Sequence, residues 1–348
     1  MYLSSSFNGH NQNILHSVAH RDRSLPNLIR MAKHTKAVHK QEISAFVQAR
    51  TVLQIIGEIL LLLLKLAYFN IESIYRIFVP ATEVSVKGEV VLVTGAGHGI
   101  GKQIALQYAS HGATVVAWDI NEANNIQTIK EIEKKGYSKA YSYICDVASR
   151  ENVFETVKQV EKEVGDISII VNNAGIMPCH KLLDHTKEEI ERIFNINVFA
   201  HLWIIQAILP SMLKNKRGHI VALSSVAGIV GLENLVPYCS SKFAVCGLME
   251  ALYVELSEYK NCNIKTTVLC PYIVDTGLCK KPKVRFENTM QIVTPEDAAA
   301  AVISAQRRSA RIETIPGYLL YLQNSLRCAS AKFALSFKSF LDTGIEAD

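Results

Sequence analysis

The amino-acid sequence predicts an α/β domain in which helices cover both faces of a doubly wound parallel sheet of about seven strands. Three observations support this fold class. Short apolar runs alternate with amphipathic patterns from residue 88 onward, a glycine-rich turn follows the first run, and no internal repeat breaks the alternation. Each run is continuous in its apolar character, which indicates strands that are buried on both faces.

Residues 1–50 form a basic leader. It carries seven lysines and arginines and two acidic residues, so the whole net charge of +5 arises in this segment. The leader is polar and lacks apolar periodicity, which is typical of disorder, and its composition also permits a mitochondrial presequence. Met31 is an alternative start of the chain. The remaining residues balance in charge, which argues against a nucleic-acid-binding protein.

Residues 51–80 are predicted to form a membrane anchor. Five polar side chains interrupt this apolar stretch: Gln54, Glu58, Lys65, Glu72 and Arg76. On a helical wheel they fall within an arc of roughly 40°, beside a broad apolar surface. This pattern favours a helix that lies in the membrane interface, with the basic leader on the cytosolic side. A spanning helix would bury Glu58 and Lys65 in lipid, and a soluble helix packed on the domain is the other alternative.

Pro80 ends the anchor, and residues 88–348 are predicted to form one domain with a C-terminal substrate lid and tail. Strands are expected at 90–93, 114–118, 140–145, 167–171, 219–223, 264–269 and 311–315. Between them, Gly112, Gly136 and Gly165 are expected to end helices, and Thr294 to begin one. The basic loop and aromatic tail after residue 277 either pack on the sheet or contact a membrane, and the sequence does not single out the residues that select the substrate.

A dinucleotide site is predicted where the first strand ends. Thr94, Gly95, Gly99 and Gly101 form the pattern T-G-x-x-x-G-x-G, directly before an apolar helical pattern. Free N–H groups at a helix N-terminus attract phosphate, and glycines let a pyrophosphate approach the main chain. An ordinary tight turn would contain the same glycines, so the prediction needs support from the rest of the chain.

The second strand supplies that support. It ends at Asp119, eighteen residues after Gly101, where a carboxylate can bind both hydroxyls of an adenosine ribose and repels the 2′-phosphate of NADP. NAD is therefore the expected cofactor, in a Rossmann-type site. His98 carries partial charge near neutral pH and keeps NADP as the alternative.

The catalytic chemistry is expected at Ser225, Tyr238 and Lys242. The Y-x-x-x-K pattern alone is commonly only a pair on one helix face, but here it begins thirteen positions after a serine that follows a buried strand. These motifs resemble the short-chain dehydrogenase/reductase family, and the resemblance implies oxidation of an alcohol. The alcohol must lose a proton as its hydride leaves, and tyrosine, with a pKa of ~10, is a poor base at neutral pH. A lysine one turn away favours the phenolate, so Tyr238 is the predicted general base, and Ser225 is predicted to hold the reacting oxygen.

Together with N-N-A-G at 172–175, these motifs resemble the short-chain dehydrogenase/reductase family over residues 88 to about 280. The resemblance implies that Asn197 completes the catalytic set by holding a relay water, and that Lys242 also binds the nicotinamide ribose. Tyr272 departs from the family pattern, in which glycine is usual. The implied cofactor contacts are Gly95, Gly97, His98, Gly99, Ile100, Gly101, Asp119, Asp146, Val147, Asn173, Ala174, Gly175, Tyr238, Lys242, Pro271 and Thr276.

Within the family, the anchor and segments such as Thr-Gly-Ala-Gly-His-Gly-Ile-Gly and Val-Val-Ala-Trp-Asp-Ile-Asn resemble the membrane-bound 17-beta-hydroxysteroid and epidermal retinol dehydrogenases. This resemblance implies NAD-dependent oxidation of a lipophilic alcohol, such as retinol or a hydroxysteroid, at the endoplasmic reticulum membrane or a lipid droplet. It also implies a homodimer formed through the helix that carries Tyr238. The long leader departs from this branch. Two alternatives stay open: an NADP-linked reductase of a lipid ketone or aldehyde, and a non-catalytic NAD-binding scaffold.

The cysteines and the glycosylation pattern bear on compartment and metal binding. Eight cysteines include no C-x-x-C pair and no metal-ligand spacing with histidine, and the chain contains no Asn-x-Ser/Thr sequon. No metal site is predicted, and the catalytic domain is expected on the cytosolic side of its membrane.

Overall fold

The computed structural model describes residues 25–79, 81–285, 291–342 and 344–345. Contacts between residues divide the chain into two units, Met1–Pro80 and Ala81–Asp348. The first unit contains the predicted anchor, and the second contains the α/β domain.

The first unit is built on one long helix, α1, which spans Leu25–Phe78. Its segment Ile29–Arg76 is long and apolar enough to cross a membrane, with a mean hydropathy of 2.0 over an 18-residue window of which no part is buried. The predicted polar stripe pairs within itself, since Gln54 Nε2 donates to Glu58 Oε1 at 3.0 Å and Arg76 lies 3.7 Å from Glu72.

The start of α1 differs from the sequence-based prediction. A disordered leader is expected up to residue 50, whereas the helix begins at Leu25. Residues 25–50 are rich in Ala, Lys, Gln and Arg, and no proline follows Pro26 until Pro80. Strong helix formers without an interruption allow a helix, once nucleated in the apolar segment, to propagate toward the N terminus. Residues 1–24 lie outside the described part of the chain.

The second unit has a central sheet of seven parallel strands, as predicted. The strands lie in the order β3-β2-β1-β4-β5-β6-β8. Strands β1 to β6 and β8 are Val90–Thr94, Thr114–Asp119, Ala140–Ile144, Ile169–Asn172, Arg217–Leu223, Asn263–Pro271 and Ile312–Ile315. Every predicted strand is present, and no predicted end is displaced by more than two residues. A separate antiparallel pair joins β7, Pro282–Lys283, to β9, Gly344–Ile345.

Helices cover both faces of this sheet. They are α2 to α10, namely Gly99–Ser110, Glu122–Lys134, Arg150–Glu163, Lys187–Phe194, Ala200–Asn215, Val236–Ser257, Pro295–Arg307, Tyr318–Arg327 and Ala331–Leu341. Short 3₁₀ turns occur at Leu182–Asp184 and Val226–Gly228, and a π-helical turn, Asn195–Phe199, joins α5 to α6. The α5–α6 segment is also long and apolar enough for a membrane span, but 44% of its most apolar window is buried inside the domain.

Two buried apolar clusters, one on each face of the sheet, explain why the strand sequences are apolar at successive positions. In β1, Val91 and Val93 face one cluster with Ile104 of α2, while Leu92 faces the other with Ile204 of α6. Successive side chains of a strand point to opposite faces, so a strand covered on both sides needs apolar residues at every position.

The helix ends also follow the sequence-based prediction. Gly112, Gly136 and Gly165 have φ angles of +85°, +66° and +121°, a left-handed conformation that glycine adopts without strain. Thr294 begins α8, and its side chain accepts the Asp297 N–H at 3.1 Å. These caps set the lengths of the helices that connect the strands, and because the strands are parallel, their carboxyl ends lie at one edge of the sheet.

Candidate active site

A cavity of about 1070 Å³ opens at the carboxyl edge of the sheet, where the strand order reverses between β1 and β4. Crevices at this position are the usual ligand sites of doubly wound sheets. The predicted site residues that line the cavity are Gly95, His98, Gly99, Ile100, Asp119, Asp146, Val147, Asn173, Ala174, Gly175, Ser225, Tyr238, Lys242, Pro271 and Thr276. Three predicted residues, Gly97, Gly101 and Asn197, are absent from this lining and lie behind it.

The glycine loop between β1 and α2 requires glycine for two physical reasons. Gly95 and Gly99 have φ angles of +67° and +56°, which side chains disfavour. At Gly101 a Cβ atom would lie 2.1 Å from the Gly95 carbonyl oxygen, so the helix packs directly on the loop. His98 begins α2 without a side-chain cap, and the first helical residues, Gly99 and Ile100, line the cavity. This arrangement is the type of cradle that binds a pyrophosphate.

Asp119 lies at the end of β2, beside the glycine loop. Its Oδ2 accepts the Gly97 N–H and its Oδ1 accepts the Asn121 N–H, both at 2.8 Å. A carboxylate has about four acceptor positions, so capacity remains for two ribose hydroxyls. The alternative interpretation, that Asp119 only caps the following helix, is not needed, because Asn121 is that cap and accepts the Asn124 N–H.

The N-N-A-G segment is tied to the glycine loop. The Thr94 hydroxyl accepts the N–H groups of Asn173 and Ala174 at 3.0 and 3.1 Å, and Asn173 Nδ2 donates to the Thr94 carbonyl at 2.9 Å. Thr276 reaches the same loop from β6, since a Cβ atom on Gly99 would lie 3.0 Å from its methyl group. Side chains from β1, β4 and the loop after β6 therefore enclose one end of the cavity.

Ser225, Tyr238 and Lys242 meet at the other end. Ser225 follows β5 and is hydrogen-bonded to Tyr238. Lys242, one turn after Tyr238 on α7, places its Nζ 5.7 Å from the tyrosine ring centre and donates to the Leu223 carbonyl at 2.8 Å. Both side chains are buried, with 6% of Tyr238 and 4% of Lys242 exposed.

Burial controls the ionisation of this pair. Burial raises the pKa of Tyr238 to about 12, although the hydrogen bond with Ser225 acts to lower that pKa. It also lowers the pKa of Lys242 to about 8. Removing a charge from water disfavours the charged form of either group. The expectation that Lys242 lowers the Tyr238 pKa is thus opposed by burial, and Tyr238 is protonated at neutral pH.

Asn197 supports the site from behind the cavity wall. Its Oδ1 accepts the Ile176 N–H at 2.9 Å, and its Nδ2 donates to the Ile176 carbonyl at 3.0 Å and to Ser241 Oγ at 3.1 Å. The residue is fully buried within the π-helical turn. Such turns are frequent at functional sites, because they displace one residue from the regular helix.

Sequence reasoning missed the residues that form the far wall of the cavity. They belong to α9 and α10 and include Leu319, Leu322, Gln323, Leu326, Arg327, Ala334, Phe337, Lys338 and Leu341. The spacing of three and four residues in 319–327 is the amphipathic pattern of a helix with one covered face. That pattern predicts a helix in the tail but does not say that its covered face lines a cavity.

Comparisons with known proteins agree with this geometry. A model of the short chain dehydrogenase family matches residues 89–284. The 17-beta-hydroxysteroid dehydrogenase 13 of Homo sapiens is 40% identical over 267 residues, which cover 77% of this chain and 88% of that protein. Epidermal retinol dehydrogenase 2 of Mus musculus is 37% identical over 273 residues, 78% of this chain and 86% of that protein.

Solved structures share the fold. A short chain dehydrogenase/reductase from Burkholderia phymatum, in complex with NAD, has a TM-score of 0.63 at 23% identity and covers 69% of this chain and 93% of its own. A 7α-hydroxysteroid dehydrogenase complexed with NADH and 7-oxo glycochenodeoxycholic acid has a TM-score of 0.61 at 29% identity, with coverage of 67% and 94%.

Proposed function

The chain belongs to the short-chain dehydrogenase family of oxidoreductases, and we propose that it oxidises a lipophilic alcohol with NAD as the hydride acceptor. The observation that carries the proposal is that Ser225, Tyr238 and Lys242 line the same cavity as the glycine loop and Asp119. The names of the relatives, hydroxysteroid and retinol dehydrogenases, support a secondary or allylic alcohol of steroid or retinoid type.

The residues of the cavity fit NAD. The glycines leave space for a pyrophosphate, Asp119 offers carboxylate oxygens to the adenosine ribose, and Lys242 is the proposed partner of the nicotinamide ribose. Asp146, Val147 and Thr276 are further proposed contacts. When bound, NAD supplies the nicotinamide carbon that accepts the hydride.

Three side chains are proposed to handle the proton. Ser225 holds the alcohol oxygen, and Tyr238 removes its proton. Because burial raises the pKa of Tyr238 to about 12, the phenolate needs the nearby Lys242 ammonium and the Ser225 hydrogen bond to become accessible. Oxidation is therefore expected to accelerate as the pH rises from neutral to about 8, the pKa of the Lys242 ammonium on which the phenolate depends. Asn197 is proposed to fix the wall behind these groups and to hold the relay water implied by the family.

An NADP-linked reductase is the second candidate, and two observations favour it. Tyr238 is protonated at neutral pH, which suits a proton donor to a ketone or aldehyde. His98 is exposed beside the glycine loop and lines the cavity, where an imidazole N–H can donate a hydrogen bond to a 2′-phosphate. The Asp119 carboxylate argues against NADP, since it repels that phosphate.

The helix α1 is proposed to hold the enzyme on the cytosolic face of the endoplasmic reticulum membrane or a lipid droplet. Its broad exposed apolar surface and narrow self-paired polar stripe favour a helix lying in the interface. A homodimer formed through α7 is proposed from the family resemblance alone.

The testing experiment measures NADH and NADPH formation by the full chain in phosphatidylcholine vesicles. Retinol, hydroxysteroids and long-chain secondary alcohols are offered to the wild type, to Tyr238→Phe and to Tyr253→Phe. Tyr253 lies on the same helix but is exposed and serves as the matched control. We expect NAD-dependent turnover that only Tyr238→Phe abolishes. Turnover with NADP alone would favour the reductase, and NAD binding without any turnover would favour the non-catalytic scaffold.

A further inference from the structure

We propose that the substrate of this cavity carries an anionic group, such as a carboxylate, in addition to its alcohol, and that Lys338 binds that group. The inference rests on the proposed alcohol oxidation at Tyr238 and adds the charge of the substrate to it. It starts from the position of Lys338 on α10, the helix that closes the far side of the cavity.

The two helices of the far wall, α9 and α10, which we call the lid helices, present mainly apolar side chains to the cavity. The lining positions of α9 are Leu319, Leu322, Gln323, Leu326 and Arg327, and those of α10 are Ala331, Ala334, Leu335, Phe337, Lys338 and Leu341. Spacings of three and four residues place most of each set on one side of its helix. A polar side chain on such a face is therefore an exception that needs a partner.

Two of the three polar exceptions have a partner in the protein. Gln323 Nε2 donates to the Ile229 carbonyl at 2.9 Å, and Arg327 donates to the same oxygen at 3.3 Å. Within the described residues, the Lys338 ammonium forms no hydrogen bond or ion pair. The nearest acidic residue along the helix, Asp342, is bound by Lys283 at 2.8 Å. The partly buried Lys338 is thus a cation of the cavity wall that has no partner among the described residues and that a ligand can neutralise.

The distribution of charge along the cavity points to the same ligand. The acidic residues that line it lie at the proposed adenosine end, Asp119 as the last residue of β2 and Asp146 two residues after β3. The catalytic end contains Lys242, and the lid adds positive charge. Burial raises the pKa of the Cys239 thiol, and the charge of Lys338 acts against that rise, so Lys338 lies near the residue that follows Tyr238. Between apolar walls an ammonium attracts an anion more strongly than it does in water.

A neutral steroid or retinoid would fill the apolar walls but would leave Lys338 without a partner. Enclosing an unpaired charge under a bound ligand costs free energy, whereas a carboxylate at that point forms a charge-assisted hydrogen bond. Lys338 is thereby assigned a role in substrate specificity and not in the transfer of hydride or proton.

The test uses hydroxy fatty acids that differ in the distance between hydroxyl and carboxylate, each beside its methyl ester. NADH formation by the full chain is measured in phosphatidylcholine vesicles for the wild type, Lys338→Met and Lys332→Met. Lys332 lies on α10 outside the cavity lining and is the matched control. For the best acid, Lys338→Met should lower kcat/KM about tenfold, mainly through KM, because one charge-assisted hydrogen bond is lost. The activity of Lys338→Met on the ester, and the activity of Lys332→Met on both compounds, should stay within about twofold of the wild type.

A binding measurement separates this inference from the proposed function. Displacement of a fluorescent fatty acid gives the Kd of each acid and ester without turnover. If no alcohol is oxidised but Lys338→Met weakens binding of the acids alone, the proposed function fails and the anionic ligand stands. Equal binding of acids and esters by the wild type overturns the inference even if both are oxidised. The assay is repeated in phosphatidylserine vesicles. If Lys338→Met loses activity on acid and ester equally in these vesicles but not in phosphatidylcholine vesicles, Lys338 binds lipid headgroups, and the inference is overturned.

Discussion

Replacing Gly101 by alanine is expected to destabilise the domain and to weaken NAD binding. The added Cβ would lie 2.1 Å from the Gly95 carbonyl oxygen and 2.5 Å from Asn173 Nδ2. The first of these atoms belongs to the backbone and cannot rotate away. Overpacking of this kind costs about 1–3 kcal/mol, while alanine in a helix recovers about 0.5–1 kcal/mol relative to glycine.

The contact distance places Gly101→Ala at the upper end of that range, so we expect a net loss of about 2 kcal/mol. For a domain of this size that loss lowers the melting temperature by roughly 4–8 °C. The Kd for NAD should rise by about tenfold or more, because the loop that approaches the pyrophosphate must shift. Thermal unfolding and titration with NAD measure the two effects.

Gly247→Ala is the matched control for this prediction. Gly247 lies in the interior of α7, and a Cβ atom there meets nothing within 4 Å. The control should gain about 0.5–1 kcal/mol from helix propensity and bind NAD like the wild type. If Gly101→Ala melts with the wild type and binds NAD equally well, close packing of α2 on the loop is not the reason for glycine at this position.

Three further predictions concern charge and protonation. Asp119→Asn should raise kcat/KM with NADP relative to NAD by about tenfold, because repulsion of the 2′-phosphate disappears; an unchanged ratio would contradict the assigned role. Ser225→Ala should move the alkaline limb of the oxidation rate to higher pH as well as lower kcat, because the Ser225 hydrogen bond lowers the pKa of Tyr238; the pH profile of the residual activity checks this. Burial lowers the pKa of His201 from 6.5 to about 3, so between these values the unfolded chain binds the extra proton and stability falls as pH falls. His201→Gln should remove up to about 1.4 kcal/mol per pH unit of that dependence in urea unfolding, and equal slopes for both proteins would refute the explanation.

Most of the cofactor end of the site follows from the sequence. Gly95 and Asp119 are each adjacent to a strand end, and the carboxyl ends of parallel strands meet at one edge, so local patterns suffice to bring them together. Gly97 packs against the Asp119 carboxylate and Gly101 against the Gly95 carbonyl and the Asn173 side chain, and neither glycine lines the cavity. That distinction depends on distances of a few tenths of an ångström, which residue spacing does not encode.

The sequence by itself determined the fold class, the seven strands, the helix caps and the family, and it predicts the residue types of the proposed catalytic set. These features depend on periodicity, on glycine conformation and on spacing along the chain, which are local properties. Only the tertiary structure decided that α1 begins at Leu25, that α9 and α10 wall the cavity with Lys338 among them, and that burial keeps Tyr238 protonated at neutral pH. The burial of a side chain and its distance from other charges depend on residues that are far apart in the sequence. Both are therefore defined only when the chain is folded.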